Sequence, residues 1–102
     1  MKFALLVRLK AKAGKEQEVA SFITNALPLA IDEPDTITWY AIKIDSSTFG
    51  IFDTFPHEDG RQAHLTGKIA NALMTNAPEL LAEEPTIEKV EILASKKQMR
   101  EF

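Results

Sequence analysis

The sequence predicts an α+β domain, and three observations carry that prediction. Four segments alternate apolar and polar residues with a period of two, the stretches between them repeat with helical spacing, and the chain is too short for a second core. At 102 residues it buries roughly two-thirds of the surface its unfolded form exposes, as one domain. Hydrophobic residues make up 45% of the chain and charged ones 26%, with four glycines and five prolines, the composition of a globular protein. The absence of cysteine excludes disulfides, thiol nucleophiles, cysteine-ligated zinc and iron–sulfur clusters. Twelve Lys and Arg against fifteen Asp and Glu give a net charge of -3, the wrong sign for a phosphate-backbone binder, so no nucleic-acid partner is expected.

Phe3, Leu5, Val7 and Leu9 share one face of the first segment, and Ala4, Leu6, Arg8 and Lys10 the other. The apolar run is broken by Arg8 and Lys10 and lacks a small-residue cleavage site, so it reads as a strand and not as a signal peptide. No stretch approaches the roughly 20 apolar residues that span a bilayer; no membrane association and a cytoplasmic location are expected. After Gly14, the residues Val19, Phe22, Ile23, Ala26, Leu27 and Ala30 recur at helical spacing, with a kink or early end expected at Pro28. Thr36 to Asp45, with Ile37, Trp39, Tyr40, Ile42 and Ile44, is a second strand. Asp45-Ser46-Ser47 turns it into a third, Phe49 to Phe55, ended by Pro56.

His57 to Leu65 and Ile69 to Leu81 are helical stretches joined at Thr66-Gly67, the second open to division at Pro78. A last strand runs through Lys89 to Ala94. The domain therefore spans residues 1–95, with a charged tail at 96–102. The order βαββαβ folds most simply as a ferredoxin-like, four-stranded antiparallel sheet with helices on one face. Leu5, Val7, Trp39, Ile51, Phe55, Val90 and Ile92 are expected on one side of it. Leu6, Tyr40, Ile42, Phe52, Ile87 and Leu93 are expected on the other. Helices cover one side only, so the second predicts a homodimer formed through that face.

The two histidines, His57 and His64, stand about 10 Å apart along a helix and cannot share a metal, so no metal site is expected. Gly60, Ala63, His64 and Gly67 occupy one helical face, and the three small residues leave the imidazole room to project. Asp53, on the same strand face as Ile51 and Phe55, is placed to orient that ring, and a base held by a carboxylate in an apolar cleft suits proton abstraction. The plainer reading makes His64 a partly buried histidine bonded to backbone. Trp39 and Tyr40 point to opposite sides of their strand, so at most one lines a pocket; each also suits core or dimer packing. Arg61, one turn before His64, is a candidate clamp for an anionic ligand or an ordinary surface-paired arginine. The aromatic strand Phe49 to Phe55 has the look of an RNA-stacking strand, but it lacks a preceding basic residue and carries Asp53.

Phe49-Gly50-Ile51-Phe52-Asp53-Thr54-Phe55-Pro56, then Gly60-Arg61-Gln62-Ala63-His64-Leu65 and Gly67, with Glu33-Pro34 ahead of Trp39-Tyr40, resembles the antibiotic biosynthesis monooxygenase family of the dimeric α/β-barrel superfamily. The resemblance spans about Lys2 to Ala94. It implies two protomers packed sheet to sheet into an α/β barrel, each with a pocket between its own sheet and helices. It further implies oxidation of a small aromatic or quinol-like molecule by molecular oxygen without metal, flavin or haem. On that reading His64 is the base, Asp53 its orienter, and Phe55 with Trp39 the apolar walls, while Tyr40 and Arg61 complete the candidate substrate contacts. Haem-degrading relatives differ at three positions, held here by Val7, His64 and Met74. The alternative is a non-catalytic dimeric protein that binds small molecules or serves a stress response.

Overall fold

The computed structural model describes residues 2–96. Its elements are β1 (Phe3–Lys10), α1 (Glu16–Thr24), α2 (Leu27–Ile31), β2 (Thr38–Lys43), β3 (Thr48–Phe55), α3 (Glu58–Leu65), α4 (Lys68–Leu80) and β4 (Thr86–Glu91). The strands form one antiparallel sheet in the order β2-β3-β1-β4. This is the predicted ferredoxin-like arrangement, each helical slot being filled by a pair of helices. The tail beyond residue 96 lies outside the described residues. No helix among the described residues is long and apolar enough to cross a membrane.

The two prolines act differently. Pro28 sits in the first turn of α2, where its missing N–H has no intrahelical partner to lose, so the expected break falls just before it and separates α1 from α2. Pro78 does not divide its helix: α4 runs on to Leu80. The missing N–H of Pro78 leaves the Met74 carbonyl without its intrahelical donor, a local loss that packing of α4 on the sheet outweighs, and the free Pro78 carbonyl accepts a hydrogen bond from Lys12 Nζ at 2.6 Å.

The helical face of the sheet carries Leu5, Val7 and Leu9 from β1 and Phe49, Ile51 and Phe55 from β3, all buried. Val7, Leu9, Phe49 and Ile51 pack with Val19 and Ile23 of α1 and Leu73 and Ala77 of α4. Full burial of each large side chain contributes about 1.5–3 kcal/mol. Trp39 bridges this cluster and a smaller one of Ala26, Ala30 and Ile69.

The last strand is the exception to the predicted faces. It starts at Thr86 and pairs Val7 with Ile87 and Ala4 with Val90, so Ile87 shares the helical side and Val90 the open side, the reverse of the expectation. Alternation along one strand gives its period; only pairing with β1 fixes which set faces the helices. The open side carries Leu6, Phe52, Tyr40, Ile42 and Val90, of which Tyr40 and Ile42 are exposed.

Gly50 sits at the centre of that side. A Cβ there would come within 2.8 Å of the Val7 carbonyl oxygen and 3.2 Å of Ile42 Cγ1. Gly50→Ala is therefore expected to lower stability by about 1–3 kcal/mol through overpacking, read as an earlier midpoint in urea.

Candidate active site

Three segments meet above the C-terminal end of β3. β3 presents Asp53 and Phe55 on its helical face, α3 presents His64 in its last turn, and the loop after α2 brings Glu33 and Thr36. The helix is pinned at its start and at its middle. His57 caps α3 by accepting a hydrogen bond from Gly60 N at 3.1 Å. Arg61 donates to the carbonyls of Ala4 at 3.1 Å and Val90 at 3.3 Å, pairs with Glu58 and lies over the Phe3 ring. Gly60 allows the loop to close on the helix: a Cβ there would stand 2.9 Å from Asp35 Cβ.

This approach puts His64 between two carboxylates. Its Nε2 lies 2.9 Å from Asp53 Oδ2, and its Nδ1 lies 2.6 Å from Glu33 Oε1. Thr36 Oγ1 donates to the same Glu33 oxygen at 2.7 Å. The Phe55 ring backs the imidazole at 5.4 Å between centroids. Asp53 is fully enclosed and His64 nearly so, while the Glu33 side chain keeps 21% of its surface exposed. With both carboxylates ionised, each nitrogen must carry a hydrogen, and the ring is an imidazolium.

Burial opposes that charge on His64, but the carboxylates of Asp53 and then Glu33 outweigh it and hold its pKa above the ordinary histidine value. Burial pushes the Asp53 carboxyl up, the facing His64 pulls it back, and Glu33 adds a smaller upward push; its pKa ends above the usual carboxylate value. Folding thus takes up protons at this site. Stability from His64 is fully present below its unfolded pKa of about 6.5 and is lost as pH rises through the higher folded value. The melting temperature is accordingly expected to fall as pH is raised from about 6.5 toward 9, and a rise across that range would contradict the ion pairing.

A cavity of 310 Å³ opens beside the cluster. One wall is Leu29 with Asp32, Glu33, Pro34, Asp35 and Thr36; the other is Gly60, Ala63 and His64, continued by Gly67 and Lys68. The small residues flanking His64 in sequence do leave the space beside its ring. Asp53 is not part of the lining, so the groups run inward from the cavity as Glu33, His64, Asp53. Among the described residues no group of three or more His, Cys, Asp or Glu is arranged to hold a metal ion.

The other expected contacts lie elsewhere. Phe55 is buried behind His64 and is not a cavity wall. Trp39, in register with Asp53, packs into the core and borders a separate hollow beside Leu27 and Ile37. Tyr40 is on the open side of the sheet, paired with Phe52, because neighbouring strand residues point oppositely. The Arg61 Nη1 and Nη2 groups go to backbone carbonyls and Glu58, and the residue is only 9% exposed, a structural clamp in place of a ligand clamp. Glu33 and Thr36 carried no periodic signal, since they stand in a loop. Only the dipeptide Glu33-Pro34 marked the place.

The fold and cluster define the class: a ferredoxin-like α+β domain with a histidine held between carboxylates at the edge of a cavity. A Nitrosomonas europaea protein of unknown function, NE2512, is 56% identical over 97% of this chain and 96% of its own, with a TM-score of 0.92. The chain belongs to the family of that protein. At 10% identity, Rv0793 from Mycobacterium tuberculosis matches with a TM-score of 0.81 over 95% of this chain and all (100%) of its own. A second Nitrosomonas europaea protein, provisionally named an antibiotic biosynthesis monooxygenase, matches with a TM-score of 0.79 at 14% identity, over 90% of this chain and 99% of its own. The fold is thus that of the family the sequence resembles. No family model and no curated protein matches the chain.

Proposed function

We propose that the protein is a cofactor-independent monooxygenase that oxidises a small aromatic or quinol-like compound with molecular oxygen. The observation that carries this reading is the chain Glu33, His64, Asp53, which leads from a cavity of 310 Å³ into the enclosed interior. A cavity of that size is at the small end of ligand sites and suits a compound of one to three rings. The hydroxyl proton passes to the ionisable chain, and the resulting anion is electron-rich enough to reduce oxygen directly. For an anthrone the net reaction turns the ring CH2 into a carbonyl; for a quinol a ring C–H carbon gains a hydroxyl group while the ring is oxidised to the quinone. In both, one atom of O2 enters the substrate and the other leaves as water with two hydrogens from the substrate. His64 and Asp53 hold the charge that lets the proton leave.

The test is oxygen uptake with a panel of hydroquinones and anthrones, run aerobically and anaerobically. Product formation only in air supports the reading. Tight binding without oxygen uptake supports instead a non-catalytic small-molecule-binding protein, which the double pairing of the His64 ring also suits.

Two copies pair through the open side of the sheet. Leu6, Phe52, Val90, Tyr40 and Ile42 make an apolar surface there, and such surfaces in soluble proteins mark interfaces. Sedimentation over a dilution series checks this: a folded monomer at all concentrations removes it.

A further inference from the structure

The His64 ring has no free nitrogen. Nδ1 and Nε2 each face a carboxylate oxygen within 2.9 Å, so a ligand in the cavity meets no imidazole lone pair. Glu33 is arranged differently. Its Oε1 accepts from both Thr36 and His64, which fixes the plane of the carboxylate. Its Oε2 lies toward Gly67, 3.2 Å from where a Cβ on that glycine would be, and Gly67 lines the cavity. A side chain at position 67 would crowd that oxygen. Around the cavity Asp32, Glu33 and Asp35 face two cations, Lys68 and the His64 imidazolium, and Asp53 stands behind the ring, an excess of negative charge that disfavours a second anion.

We infer that Glu33 Oε2, and not His64, accepts the hydrogen of the ligand's hydroxyl group, with His64 as a positioning residue, and that the cavity selects an uncharged aromatic hydroxyl over a carboxylate. In the transfer, the O–H bond of the ligand breaks and its electron pair stays on the phenolic oxygen. A new O–H bond forms on Glu33 Oε2, and the His64 imidazolium keeps both its hydrogens. Asp53 holds that imidazolium from behind. This deepens the proposed function but needs no oxygen chemistry to be tested.

The experiment is anaerobic binding of three probes of one size: 2-naphthol, 2-methoxynaphthalene and 2-naphthoate. The native protein is expected to prefer 2-naphthol over the ether by about tenfold or more, as a hydrogen bond to a charged acceptor is stronger than one to a neutral group, and to bind 2-naphthoate weakest. Glu33→Gln keeps the size of the side chain and is expected to lose the naphthol preference while melting within a few degrees of the native protein. Nitrogen-15 spectra of His64 at neutral pH are expected to show both ring nitrogens protonated, with and without 2-naphthol.

Three outcomes overturn the inference: binding of none of the probes, an unchanged naphthol preference in Glu33→Gln, or a neutral His64 ring that gains its second proton only when 2-naphthol binds. Thr36→Val supplies a second variant, removing one donor to Oε1, and is expected to weaken 2-naphthol binding but not ether binding. Equal loss for both probes in Thr36→Val would be a fourth outcome that overturns the Glu33 role, since it marks a general change of cavity shape. Failure of every compound to consume oxygen, with the naphthol preference intact, sinks the oxygenase reading and leaves the Glu33 assignment standing.

Discussion

Phe55→Ala is expected to cost about 3–5 kcal/mol, the range for removing a large aromatic ring from a packed core. Phe55 is 0% exposed and is the largest of the fully buried side chains. Its register partner on β1 is Phe3, and its ring backs His64 at 5.4 Å. Truncation therefore removes core contacts and also the surface on which the imidazole rests. Phe55→Leu separates the two roles: it refills much of the volume and should recover most of the stability, while leaving His64 less well seated. Urea denaturation reads the first effect, and the His64 ring resonances read the second. Full stability together with native His64 resonances in Phe55→Ala would show that the ring occupies no essential space.

The fold was legible because its main signals are local. Alternation in β1 and β3, the Asp45-Ser46-Ser47 turn and the breaks at Gly14 and Thr66-Gly67 each act over a few residues, and together they leave one simple topology. What failed was non-local. The face of β4 depends on pairing with β1 across some eighty residues of chain, and α4 continues past Pro78 because Leu73 and Ala77 pack it into the core. The candidate site divides in the same way. Gly60, Ala63 and His64 share a helix face that can be read by counting, Gly67 follows just past the end of that helix, and Asp53 follows from strand parity. Glu33 reaches His64 from a loop 31 residues away, positioned by the close approach of Asp35 to Gly60, and no period in the sequence encodes that approach. Trp39 and Arg61 drew notice as residue types suited to ligands, yet in the fold one packs in the core and the other ties backbone carbonyls together.

His64→Ala is expected to be strongly destabilising near neutral pH and only mildly so in acid. Among the described residues the imidazolium is the sole cation facing Asp53, at 2.9 Å from Oδ2, and neither carboxylate oxygen makes a well-aligned hydrogen bond. Removing it leaves a fully enclosed carboxylate with Glu33 nearby and no compensating charge, a situation that costs about 3–5 kcal/mol when a buried pair is broken. The protein can escape by protonating Asp53. That escape costs about 1.4 kcal/mol for each pH unit above the unfolded carboxylate pKa of about 3.9, hence about 1.5 kcal/mol at pH 5 and about 4 kcal/mol at pH 7. The sign follows from the direction of the shift: Asp53, already raised by burial, rises further in the variant, so the variant gains stability as pH falls through that value. Adding Asp53→Asn to His64→Ala removes the trapped charge and should restore much of the loss at pH 7 while changing little at pH 5. Equal destabilisation of His64→Ala at both pH values, with no recovery in the double variant, would mean that the histidine fills space and the charge pairing contributes nothing. The pH-dependent pattern would establish Asp53 as an ionised group in the native protein, held so by the ring that separates it from Glu33 and the cavity.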